Sequence, residues 1–255
     1  MFMRWKQNSK EICMIDPISL TTLAIQHDMQ RMNVAANNAV NILTTGFKRE
    51  YLVAAGQMGV EPAALNAHSG NTILPAGLRS ALDFRPGALK QTAGALDLAL
   101  LGDGFFEIQS DNGTAYTRQG NFRLDEGGRL VTQAGFPIMG VSGEIFLTTP
   151  TPVIDRAGKI YDQGKELGQI KLVSFDSTNA LASIGTGMVV ATDNATPQIN
   201  QRARVAQGQL ESSNVDSAQE MVRMLETFRH FEMSHRILQA YDELNDKSLR
   251  NLGQF

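Results

Sequence analysis

Apolar side chains near the start of the chain recur at Ile18, Ile25, Met29, Met32, Ala36, Ala39 and Leu43. Thr22 fills the one polar step, so the spacing runs 4, 3, 4, 3, 4, 3, 4. That is a heptad seam. It predicts an amphipathic helix of about 25 residues within 14–46, stopped by Gly46. Near the other end Met221, Met224, Phe228, Phe231, His235 and Leu238 repeat at 3, 4, 3, 4, 3, and neither Gly nor Pro interrupts the chain from Ser217 to Arg250. A second long helix is predicted within 210–255. Asp216 or Ser217 would cap it, and Glu220 stands three residues past Ser217, as a capping box requires.

Between the helical patterns the period changes. Short runs of β-formers such as GFFEIQ, TAYTRQGNFRL, GEIFLTT and GQIKLVSF are broken by turn signals, among them Asp111-Asn112-Gly113 and Asp125-Glu126-Gly127-Gly128. Asn and Gly tolerate the positive φ of tight hairpin turns, so an antiparallel β domain is predicted over 95–182. Weakly periodic stretches at 47–94 and 183–209 read as connectors. The fold class is α+β: two terminal helices pairing as a coiled-coil-like stalk, with an all-β domain inserted between them. Met221, Met224, Leu225, Phe228, Phe231 and Met233 give the last helix a wider apolar surface than one partner helix covers, which marks a protein interface.

Charge narrows the function. The 255 residues carry 23 Lys plus Arg against 26 Asp plus Glu, so no basic excess draws the chain to nucleic acid or an anionic bilayer. The single Cys13 excludes an intramolecular disulfide and a Cys-based zinc site. There is no uninterrupted run of 18 apolar residues to span a membrane, and the start MFMRWKQNSK lacks the apolar stretch of a cleaved signal peptide. Catalytic motifs are missing too. Gly140-Val141-Ser142-Gly143 falls one residue short of a nucleophile elbow, and no glycine-rich phosphate loop occurs. His230 and His235 are five apart, about 140° around a helix, which does not suit a shared metal. Asp111, Asp125 and Asp155 each begin a turn and match no calcium loop. No enzyme activity, cofactor or metal is expected.

Three ordered blocks carry a resemblance. Ala36-Asn37-Asn38-Ala39-Val40-Asn41 with Thr45-Gly46-Phe47-Lys48-Arg49 is the first. The second is Leu96-Asp97-Leu98-Ala99 with Gly102-Asp103-Gly104-Phe105-Phe106 and Tyr116-Thr117-Arg118. The third is Leu210-Glu211, Ser213-Asn214-Val215-Asp216, Glu220-Met221 and Phe228-Arg229-His230-Phe231-Glu232. Together they resemble the signature of bacterial flagellar rod, hook and related axial proteins. Val40 stands where that family favours Ala, and Thr45 where Pro is common. The wording from Arg229 to Met233 looks more like proximal than distal rod members; a distal rod or hook-type member is the alternative within the family.

The resemblance implies a non-enzymatic subunit exported through the flagellum-specific type III apparatus without a cleaved signal. It implies helical stacking with itself and with other rod and hook axial proteins in the periplasm-spanning rod, with no nucleic-acid partner and no membrane insertion. The assembly interface would comprise Ile25, Met29, Met32, Ala36, Asn37, Asn38, Asn41 and Leu43 on the first helix, and Met221, Met224, Leu225, Phe228, Phe231 and Leu238 on the last. It also places the working start at Met14, so that 1–13 is either an upstream mis-assigned start or a disordered extension. The competing classes are a monomeric β-domain binding module and an enzyme of unrecognised type.

Overall fold

The computed structural model describes residues 17–54, 77–192, 195–200 and 202–252; the extension 1–13 lies outside the described residues. The chain divides into two compact units. One contains Met1–Met32, Val53–Arg79 and Leu225–Phe255, and the other Asn33–Leu52 and Ser80–Met224.

Helix α1 spans Pro17–Val40 and helix α2 spans Ser217–Leu252. Pro17 opens α1 where its missing N–H costs nothing. The chain leaves α1 through a turn that ends at Gly46, whose φ of +65° suits glycine. Asp216 caps α2, its Oδ1 accepting from Ala218 N at 2.9 Å and Gln219 N at 3.2 Å. The capping box does not form. The cap is Asp216, one residue before Ser217, so Glu220 stands four residues past it and turns its buried carboxylate to Arg49 and Arg223 instead.

Most of the β structure lies in the second unit. Its largest sheet has six antiparallel strands in the order Leu181–Gly185, Met188–Ala191, Gly113–Thr117, Phe105–Ser110, Leu172–Ser174, Gln198–Ile199. The Phe105–Ser110 strand is covered on both faces. Phe106 and Ile108 enter a cluster with Leu98, Leu130, Ile138, Ile160 and Ile170, while Phe105 joins Tyr116, Val173, Leu181 and Val189. Double coverage explains why GFFEIQ shows no clean alternation. Glu107 is buried in the same strand and is paired with Lys171 at 2.7 Å.

Turns fall where Asp and Gly signalled them. Ser110 opposes Gly113 across the first hairpin. Asp125 Oδ1 accepts from Gly127 N and Arg129 N, and Asp155 Oδ1 from Ala157 N and Lys159 N. The expected connectors, by contrast, hold strands. Arg204–Gln207 pairs with Leu98–Leu101, and Gln209–Glu211 pairs with Leu89–Gln91. Each is three or four residues long and finds its partner more than 100 positions away, so neither length nor local pattern reveals it.

Gly120 is fixed by close approach. A Cβ on Gly120 would stand 1.5 Å from the Leu98 carbonyl oxygen, which is backbone and cannot swing aside. Gly113 has open space around it, so only its φ of +115° opposes a side chain. Gly120→Ala is therefore expected to destabilise by more than the ~1–3 kcal/mol of ordinary overpacking, and Gly113→Ala by less. Denaturant midpoints of the two variants check the order.

Candidate assembly surface

The three signature blocks converge on one polar junction within the second unit. From α1, the Asn38 amide closes a two-way clasp on the strand that starts at Glu50. Glu50 N donates to Asn38 Oδ1 at 2.8 Å, and Asn38 Nδ2 donates to Glu50 O at 2.7 Å. The same Nδ2 reaches Glu220 Oε2 at 3.4 Å. Asn37 donates to Glu50 Oε2, and Asn41 donates to Asn37 while accepting from Thr44. Thr45, the departure from Pro, uses its hydroxyl to donate to Asn121 at 2.9 Å.

Charged groups close the junction. Glu211 accepts from Lys48 Nζ at 2.5 Å, Arg118 Nη1 at 3.1 Å and Gly87 N at 2.9 Å, and all three ionic side chains are at most 5% exposed. Burial works against the Glu211 charge, but the hydrogen bond from Lys48 and the fields of Arg118 and Lys48 outweigh it and hold its carboxyl below the usual glutamate range. Glu220 is buried between Arg49 Nε at 2.6 Å and Arg223 Nη1 at 2.8 Å. Asn214 accepts from Arg49 N at 2.7 Å and donates to Asp83 O and Arg85 O. Lys48, Arg49, Arg118, Glu211 and Asn214 all sit inside the signature blocks, yet sequence reasoning gave them no role. The available signal was a charge held inside an otherwise apolar or turn-forming block, as Arg118 is in Tyr116-Thr117-Arg118.

Both helices carry exposed apolar side chains, as do Phe146, Val153 and Ile199 of the β unit. Of the expected interface on α1, Ile25 and Met32 are half-buried and Met29 and Ala36 are exposed. In and after the C-terminal turn of α1, Asn37 and Leu43 are exposed, Asn41 is half-buried, and Asn38 is fully buried on partners within the chain. On α2, Met224, Phe231 and Leu238 are half-buried, whereas Met221, Leu225 and Phe228 are exposed.

Both helices show the same offset. Positions 25, 32 and 39 of α1 and 224, 231 and 238 of α2 stay on the less exposed side. The other row of each expected seam is displaced by one residue. Thr21, Asp28 and Ala35 are shielded in place of Thr22, Met29 and Ala36, and Glu220, Thr227 and Ser234 in place of Met221, Phe228 and His235. Asp28 and Ser234 are buried polar groups, and Asp28 Oδ2 lies 2.5 Å from His230 Nδ1 of α2. The inward row is thus small or polar, and the bulky apolar row of Met29, Met221 and Phe228 faces outward.

The junction spends its buried charges on joining helix ends to strands, and the helices leave Met29, Met221, Leu225 and Phe228 exposed. The model of the flagellar hook protein FlgE/F/G D1 domain matches residues 99–172, and that of the flagellar basal body rod FlgEFG protein C-terminal region matches 206–251. FlgG of Buchnera aphidicola subsp. Acyrthosiphon pisum is 32% identical over 92% of this chain and 98% of its own length. FlgF of Caulobacter vibrioides is 33% identical over 88% and 93%, and FlgG of Bacillus subtilis 31% over 84% and 90%. The chain belongs to the flagellar basal-body rod proteins of the FlgF/FlgG type. Among its described residues no helix is long and apolar enough to cross a membrane.

Proposed function

We propose that the chain is a non-enzymatic subunit of the proximal flagellar rod, stacked helically with its own copies and with other axial proteins into a hollow, torque-transmitting shaft. The observation that carries this reading is the outward row of Met29, Met221, Leu225 and Phe228, all exposed in the isolated chain. Contacts of this kind are heterologous and non-closing, as a filament requires, and Met adapts to neighbours that differ slightly along the shaft. Pairing of α1 and α2 as a coiled-coil-like stalk is supported by the Asp28–His230 contact and by the matching offset of their rows. Export through the type III apparatus without a cleaved signal, and a place in the periplasm-spanning rod, belong to the same reading and are supported by the likeness to FlgF and FlgG relatives.

The proximal position rests on the stretch Arg229–Met233, since FlgF and FlgG relatives match about equally well. The distal rod is the second reading, supported by FlgG relatives that align over 98% of their length. Purified chain at high concentration is expected to form oligomers or filaments that are lost when α2 is truncated. A monodisperse monomer that binds a small ligand would favour a binding module instead. Restored swimming in a strain lacking its own FlgF, but not in one lacking FlgG, is the expected result for the proximal position.

A further inference from the structure

We propose that the junction holds a buried site for a single small hydrogen-bond acceptor, a water molecule or a halide ion, on the Nε–H of Arg118. Arg118 is 5% exposed, and two of its nitrogens are engaged: Nη1 donates to Glu211 and Nη2 to the Gly102 carbonyl at 2.7 Å. Its Nε is buried and has no hydrogen-bond partner among the described residues. A buried N–H is rarely left so, because it has given up its water without a replacement.

Space for the acceptor exists beside the same side chain. A cavity lined by Arg118, Lys48, Phe105, Gly46, Ser183 and Val189 leaves ≈ 10 Å³ open to the centre of a water-sized sphere. That is about one water's worth of room. The lining includes two cations and no carboxylate; Glu211 neutralises one of those charges from outside the lining. The field in the cavity therefore favours the negative end of a dipole or a monovalent anion. Larger anions such as phosphate or sulfate are excluded by volume. Phe105, whose ring centroid lies 5.7 Å from the Arg118 guanidinium carbon, supplies an apolar wall.

The test is crystallographic, on the full chain, with one set of crystals grown from chloride and another from bromide. A discrete peak within hydrogen-bonding distance of Arg118 Nε is expected in both. An anomalous bromide signal on that peak identifies a halide site, and its absence there identifies water. An empty cavity, or an Arg118 whose Nε donates to a protein carbonyl instead, overturns the proposal.

Discussion

Glu211→Ala is expected to destabilise the chain by about 3–5 kcal/mol, the cost of breaking a buried ion pair by removing one partner. Two cations, Lys48 and Arg118, would be left at 5% exposure without their shared carboxylate, and Gly87 N would lose its acceptor. The denaturant midpoint should fall accordingly. Asp125→Ala, which cuts a partly exposed pair with Arg129, should cost far less. The same group sets an acid limit. Because the folded Glu211 carboxyl sits below its ordinary range, its contribution is fully present above about pH 4.3 and is lost as pH falls through the lowered folded value. Glu211→Gln should flatten that part of the stability–pH curve. A curve unchanged by Glu211→Gln would show that the cluster does not stabilise the fold.

Phe228→Asp is expected to abolish rod assembly and swimming while leaving the chain folded. Phe228 is half exposed in the isolated chain, so an aspartate there meets water and costs little. In the assembled shaft the same carboxylate would be buried without a partner, at a cost of several kcal/mol that recurs in every subunit. Met32→Asp should also block assembly, but Met32 is half-buried within the chain and its loss should disturb α1 as well. Normal swimming with Phe228→Asp would remove the outward row from the interface.

The contrast between Met29 and Asp28 shows where sequence reading reaches and where it stops. Both helices, their approximate ends and the turns at Asp111–Gly113 and Asp125–Gly128 were legible, because each depends on local periodicity, capping or glycine conformation. One row of each seam, Ile25, Met32 and Ala39 on α1 and Met224, Phe231 and Leu238 on α2, stays on the less exposed side as the heptad predicts; the second row does not. A heptad pattern assumes that apolar means buried, and here Asp28, Ala35, Thr227 and Ser234 complete the shielded face while Met29 and Phe228 are kept outside. In a protein that assembles, the hydrophobic pattern records contacts with other molecules as well as with itself.

The junction was illegible for a different reason. Lys48 and Glu211 are 163 positions apart, Arg49 and Glu220 are 171 apart, and Asn38 and Glu220 are 182 apart. No local rule pairs a charge with one so distant, although the signature blocks contained all five of these residues. Asn38, read as an interface amide, proves to be fully buried and clasps the Glu50 backbone.

A photo-crosslinking residue placed at position 228 in living bacteria, followed by isolation of hook–basal bodies, puts the outward row to the test within the native assembly. Position 228 should give covalent adducts with a second copy or a neighbouring axial protein in the basal-body fraction, whereas the same residue at the buried Ser234 should give none between chains. Basal bodies that contain the chain but show no intermolecular adduct at 228, or adducts at 234 alone, would contradict an assembly carried by this face of α2.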